Sequence, residues 1–344
     1  MSPTGILTLY LVFFGVEFFF AQILTRLNIG FIKKSRGSVP KIFADFFDDD
    51  TYRKSVDYSL EKSRFGVVGS AISAIVLLVV VLTGFLGTMD MWINTVRLSQ
   101  PLRGILFVGA VSMLFHILSL PVSIYTQFVI EEKHGFNKMT PKTFVVDQLK
   151  GMLLSVALGV PVLLGLFWFV RSAGQLWWIY AFAALAVFQL VLSVIYPVLI
   201  APLFNKFTPL DEGSLKIKIE DLAQTLSFGT RGIFVMDGSR RSGHSNAYFT
   251  GFGRMKRIVL FDTLLSQLDE EQILAVLAHE IGHQKKKHIL QRLGVSLAMT
   301  AAAFWLISIL LESKALFTAF GFEQMSTHGL LVILSFCSGP FTFM

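Results

Sequence analysis

Two histidines four residues apart, with a glutamate beside the first, are the residues of this sequence best placed to do chemistry: Ala278-His279-Glu280-Ile281-Gly282-His283. On a helix, side chains four apart project from one face. His279 and His283 can therefore present two imidazoles to one metal ion, and Glu280 can act as a base toward water. Two His ligands and a carboxylate base are the layout of zinc hydrolases, so zinc is the cofactor this spacing predicts. A bare five-letter pattern also arises by chance, so the elements around it decide its weight.

The pattern needs a helix, and a helix start precedes it. Asp269 suits the N-cap and Gln272 the N3 position of a capping box, with Leu268 and Ile273 at the staple positions. Ile273, Leu274, Leu277 and Ile281 follow as an apolar stripe. Gly282 has poor helix propensity and reads as a point of close packing. Lys285, Lys286, Lys287 and His288 come next. If one helix continues through them, the metal lies roughly 15 Å from the following apolar run. On that helix His288 is rotated off the His283 face and reads as an interface histidine. The lysines read as interfacial anchors, with anionic-lipid binding as the rarer alternative.

Upstream, Thr208-Pro209-Leu210-Asp211 reads as a helix start with Pro at N1. Leu215, Ile219, Leu222, Ala223 and Leu226 follow at helical spacing, closed by Phe228-Gly229. Segments 232–237, 245–249 and 256–261 read as strands of a small antiparallel sheet, the last two joined by a hairpin turn over Thr250-Gly251-Phe252-Gly253-Arg254. A metallopeptidase needs an extended substrate beside the metal, which an exposed strand supplies by main-chain pairing. Segment 245–249 is the candidate, with plain sheet core as its alternative role.

The rest of the chain is membrane. Of 344 residues, 53% are hydrophobic and 15% charged, and the mean hydropathy is +0.64, too apolar for an ordinary soluble protein. Apolar stretches of spanning length recur at about 5–23, 67–86, 104–124, 152–170, 176–199 and 294–311, and a seventh starts near Gly329. This divides the chain into a five-span domain (1–203), a zinc metalloprotease segment (204–293) and a last part (294–344) with the sixth span and the start of a seventh. Lys and Arg number eight in 29–66, two in 87–103, four in 126–150, one in 171–175, thirteen in 204–293 and one in 312–328. The positive-inside rule then places the zinc segment in the cytoplasm. The net charge of +7 is thereby mostly topology, which argues against a nucleic-acid partner. The single cysteine, Cys337, excludes an internal disulfide and a Cys-based metal site. Glu17 and His116, inside spans, read either as the lining of a polar chamber or as single interhelical hydrogen bonds.

Several runs together resemble the integral-membrane CAAX prenyl endopeptidases of type I. They are Phe128-Val-Ile-Glu-Glu-Lys-His-Gly-Phe-Asn-Lys138, between the third and fourth spans, and then, after five spans, Ala201-Pro-Leu-Phe-Asn-Lys-Phe207, Ser245-Asn-Ala-Tyr248 and Leu277-Ala-His-Glu-Ile-Gly-His283, in that order. The resemblance implies a mainly helical membrane barrel of seven helices around a water-filled chamber, closed by a gluzincin-like zinc domain. It implies an endopeptidase that removes the C-terminal tripeptide from prenylated C-a-a-X proteins, with a second upstream cut in some substrates. It assigns zinc to His279 and His283, the general base to Glu280, and the hold on the substrate backbone to Asn246 and Ala247. The expected setting is the endoplasmic reticulum membrane in a eukaryote or the inner membrane in a bacterium. One departure stands out. The family takes a third ligand, a Glu, from a later helix, whereas only Glu312 and Glu323 follow here, both toward the far side of the sixth span. The expectation is therefore a fragment whose third ligand lies beyond Met344. Two rival readings remain: a membrane quality-control metalloprotease, which has fewer spans before the zinc motif, and a non-catalytic membrane scaffold or chaperone with an incomplete site.

Overall fold

A computed structural model describes residues 1–37, 39–45, 47–250 and 256–337. In chain order its helices are α1 (Pro3–Lys34), α2 (Asp49–Leu82), α3 (Phe85–Asn94), α4 (Gln100–Tyr125), α5 (Glu131–Lys133), α6 (Pro141–Ser172), α7 (Trp177–Ile195), α8 (Ala201–Phe204), α9 (Ser214–Thr225), α10 (Asp262–Gln267), α11 (Glu270–Lys285), α12 (His288–Leu310), α13 (Lys314–Ala319) and α14 (Thr327–Cys337). The strands are β1 (Phe207–Pro209), β2 (Ile233–Met236), β3 (Ala247–Thr250) and β4 (Arg257–Phe261). The mainly helical class is borne out. Six helical segments are long and apolar enough to cross a membrane, at Pro3–Gly37, Asp49–Leu82, Gln100–Lys133, Pro141–Ser172, Gly174–Phe204 and His288–Leu310. Of the seventh apolar stretch, α14 is described; 338–344 lie outside the described residues, as do 251–254 of the expected hairpin turn.

The chain divides into two compact units. The first holds Met1–His134, Leu163–Ser172 and Leu306–Met344. Within it α1 packs on α2 and α13, and α14 on α4. Two carboxylates buried there are paired, as desolvation demands. The imidazole of His328 lies 2.7 Å from the Asp90 carboxylate, and Glu131 accepts from Tyr58 and Lys62, both at 2.8 Å. Glu17 lines a cavity of about 920 Å³ with Ser70, Ser73, Ser112, Ser119 and Ser123. The rest of that lining is mainly apolar, with Phe14, Phe65, Phe115 and Leu118 among it, and His116 is not part of it.

The second unit holds Gly135–Val162 and Ala173–Trp305. Its sheet runs β1-β2-β4-β3. The sheet is mixed, which corrects the antiparallel expectation: β2 and β4 pair in parallel, while β1–β2 and β3–β4 are antiparallel. The cause is β4, which lies between β2 and β3 and runs parallel to the first and antiparallel to the second. A second correction concerns Pro209. It ends the edge strand β1 instead of opening a helix, because an edge tolerates a residue with no N–H to donate; α9 starts at Ser214 behind an extended Gly213. The core gathers Ile219 and Ala223 of α9, Ile233, Ala247, Ile258 and Leu260 of the sheet, and Ile273, Leu277 and Ile281 of α11.

Candidate active site

The capping box forms as the sequence predicts. Asp269 Oδ1 accepts from the Gln272 N–H at 2.8 Å, and Gln272 Oε1 accepts from the Asp269 N–H at 3.1 Å. Two orphan donors at the start of α11 are thus satisfied. Ile273, Leu277 and Ile281, spaced by four, are 2%, 0% and 1% exposed. Each such burial contributes roughly 1.5–3 kcal/mol, so this face fixes the rotation of the helix and turns His279 and His283 outward.

The two imidazoles converge. His279 Nε2 and His283 Nε2 are 3.1 Å apart, with ring centroids separated by 4.8 Å. Two imidazole nitrogens at about 2.0–2.1 Å from one tetrahedral zinc lie about 3.3 Å apart, so the pair fits that ion. Glu280 is half-buried and makes no hydrogen bond or ion pair among the described residues, which leaves its carboxylate available as a base. Gly282 corrects an expectation: a Cβ placed there meets nothing within 4 Å, so close packing does not explain it. It lies on the ligand side of the helix, away from the Ile273–Leu277–Ile281 seam.

His288 is the residue that the sequence reading misplaced. The continuous helix assumed there does not form: α11 ends at Lys285, α12 starts at His288, and Lys287 between them has φ +57°. The break swings His288 back toward His283, and their Nδ1 atoms lie 2.8 Å apart. Which ring donates follows the tautomer: a His283 whose Nε2 is free for a metal carries its proton on Nδ1 and donates it to His288. A contact of this kind is what fixes the tautomer and ring plane of a histidine when it serves as a metal ligand. No local signal in the sequence announced the break, since lysine is a good helix former. Among the described residues no group of three or more His, Cys, Asp or Glu side chains is placed to hold a metal.

Asn246 and Ala247 come to the same place. β3 is an edge strand, and α11 packs against it. The Asn246 carbonyl accepts from the Phe261 N–H at 3.0 Å, which makes Asn246–Phe261 the hydrogen-bonded pair and leaves the main chain of the next residue, Ala247, facing away from β4. The Ala247 N–H is occupied by Asn246 Oδ1 at 2.8 Å. Tyr248 is pushed up to about 12 by burial, with Tyr196 adding to it, so it stays a phenol at neutral pH.

The approach to β3 is clamped by Arg241, which the sequence did not single out, together with residues of two runs that carry the family resemblance. Arg241 donates to both Asp147 oxygens (2.7 and 3.0 Å) and to Asn205 Oδ1 at 2.9 Å. Asn137 and Ser242 form a bridge, the Gly243 N–H donates to the Phe136 carbonyl at 2.8 Å, and the Phe136 ring stacks on His244 at 4.2 Å. The runs around 135–138 and 201–207 therefore converge on the segment that leads into Asn246.

The model of the CAAX prenyl protease N-terminal domain, with five membrane helices, matches residues 28–206, and that of peptidase family M48 matches 209–342. CAAX prenyl protease 1 homolog of Arabidopsis thaliana is 39% identical over 304 residues, covering 86% of this chain and 72% of that protein. CAAX prenyl protease 1 of Saccharomyces cerevisiae is 38% identical over 316 residues, covering 87% and 69%. The crystal structure of S. mikatae Ste24p superposes with a TM-score of 0.87 at 34% identity, covering 99% of this chain and 82% of that one.

Proposed function

The chain belongs to the CAAX prenyl proteases of peptidase family M48, and on that premise we propose that it removes the C-terminal tripeptide from prenylated C-a-a-X proteins, with His279 and His283 as zinc ligands and Glu280 as general base. The observation that carries this reading is the 3.1 Å convergence of the two Nε2 atoms on a helix that packs against an edge strand.

Each residue then has a task. Zinc, when bound, acidifies water and polarises the scissile carbonyl. Glu280, unpartnered among the described residues, takes the proton from the attacking water and returns it to the leaving amine. His288 holds the ring of His283 in the tautomer that leaves Nε2 free. The main chain of Ala247 pairs with the substrate backbone once the Asn246 amide releases the N–H, which lays the peptide along β3 as an added strand. Positive charge concentrated in 29–66 and 204–293 supports a cytoplasmic zinc segment, at the endoplasmic reticulum if the host is a eukaryote.

The test is cleavage of a matched pair of C-a-a-X peptides, farnesylated and unmodified, with the products weighed by mass spectrometry. The reading predicts release of the intact tripeptide, faster from the farnesylated peptide and abolished by a zinc chelator. Cleavage elsewhere in the peptide, or equal rates on both, contradicts it.

A further inference from the structure

The polar end of α1 and α2 in the first unit, cytoplasmic under the topology proposed above, carries a concavity that the peptidase reading does not use. It is about 850 Å³ in volume and lies among the end of α1, the first half of α2 and the α4–α5 junction. Lys33, Arg36, Lys54, Arg64 and Lys133 line it, together with two carboxylates, Asp57 and Glu61.

Both carboxylates are already saturated. Arg36 forks onto Asp57 with two contacts of 2.9 Å. Glu61 receives Lys133 at 2.8 and 2.9 Å, and its Oε2 lies 2.8 Å from His134 Nε2. Lys54 pairs with Asp50 outside the concavity. Lys33 and Arg64 pair with no carboxylate among the described residues, so the concavity keeps a surplus of positive charge with two uncommitted cations on its wall.

The lining changes character in one direction. Along α2, Lys54, Asp57, Glu61 and Arg64 share a face by their spacing of three and four. Phe65 and Val68 continue it, opposite Tyr125 and Ile130. The Phe65 and Tyr125 rings stack at 4.5 Å. Arg64 is also the last charged residue of α2 before its apolar run. A cationic mouth at the charge-to-apolar boundary of a spanning helix, with an aromatic and aliphatic floor beyond it, matches a phosphodiester headgroup followed by acyl chain. A soluble phosphate would use only the mouth. The geometry points to a binding site for an anionic phospholipid, its phosphate held between Lys33 and Arg64 and its acyl chain laid on Phe65, Val68 and Tyr125. Basic pockets between spanning helices on the cytoplasmic side bind such headgroups generally.

The test is native mass spectrometry of the purified chain in neutral detergent, titrated with dioleoyl phosphatidylinositol, dioleoyl phosphatidylcholine or inorganic phosphate. Phosphatidylinositol is expected to be retained in preference to phosphatidylcholine and to resist displacement by excess inorganic phosphate. Lys33→Ala/Arg64→Ala should weaken phosphatidylinositol retention by about thirtyfold, and Lys33→Gln alone by about fivefold, with phosphatidylcholine retention unchanged. Lys285→Ala/Lys286→Ala, which alters a basic run elsewhere, should leave retention as it is. Equal retention of the two lipids, no loss in a folded Lys33 variant, or ready displacement by inorganic phosphate would each overturn the assignment.

Discussion

α11 and α1 are both helices with an apolar side, and they bury opposite things. α11 hides Ile273, Leu277 and Ile281 and presents His279 and His283 outward. α1 has no buried residue at all, and Phe13 and Phe19 are 58% and 66% exposed on its surface. The difference lies in what covers the apolar side. For α11 it is a protein core of α9 and the sheet, so apolar patterning fixes which way the helix faces and hence where its histidines point. Outside α1 is lipid, as apolar as a protein core, so the same side chains mark a span without orienting it.

The comparison can be broken first at the ligands. Changing His283 to Ala removes one of the two nitrogens that converge, and zinc binding and peptide cleavage should both be lost, read by metal analysis and turnover of one sample. A protein that keeps stoichiometric zinc without His283 would mean that α11 does not present its ligands as described. His288→Ala should be milder. The ligands stay, the hydrogen bond to His283 Nδ1 goes, and zinc affinity should fall by about 10–100-fold, with His288→Asn restoring part of it because an amide oxygen can accept the same bond.

The next contrast is in stability. Leu277→Ala opens a cavity in a fully buried seam and should cost about 2–5 kcal/mol. Phe19→Ala, on a lipid-facing surface, should cost well under that in the same detergent unfolding assay. Comparable losses would show that α1 is packed as α11 is. The smallest expected effect is at Gly282. With space around it, Gly282→Ala should raise stability by about 0.5–1 kcal/mol. A loss instead would restore the close-packing role that the structure removes.

Legibility in the sequence follows the same division. The Asp269–Gln272 capping box, the α11 stripe and the six spans were readable, because each rests on local spacing or on length. His288 was not, since a helical wheel extrapolates through the break that Lys287 makes. The strand role of Pro209 and the parallel β2–β4 pairing depend on partners far along the chain. So does the clamp of Arg241 on Asp147, 94 residues away, which no local pattern announces. The resemblance to known sequences suggested the roles of Asn246 and Ala247; Ala247 opens the edge strand β3 with Asn246 just before it, and the Ala247 main chain turns away from β4.

The central claim is that α11 separates holding the metal from moving the proton, with the imidazoles doing one and Glu280 the other. Glu280→Gln tests it directly, by zinc content and cleavage of a prenylated C-a-a-X peptide measured on one preparation. The account predicts full zinc occupancy relative to the unaltered chain and a rate lower by about 10² to 10⁴. Undiminished cleavage, or loss of zinc together with activity, would contradict it.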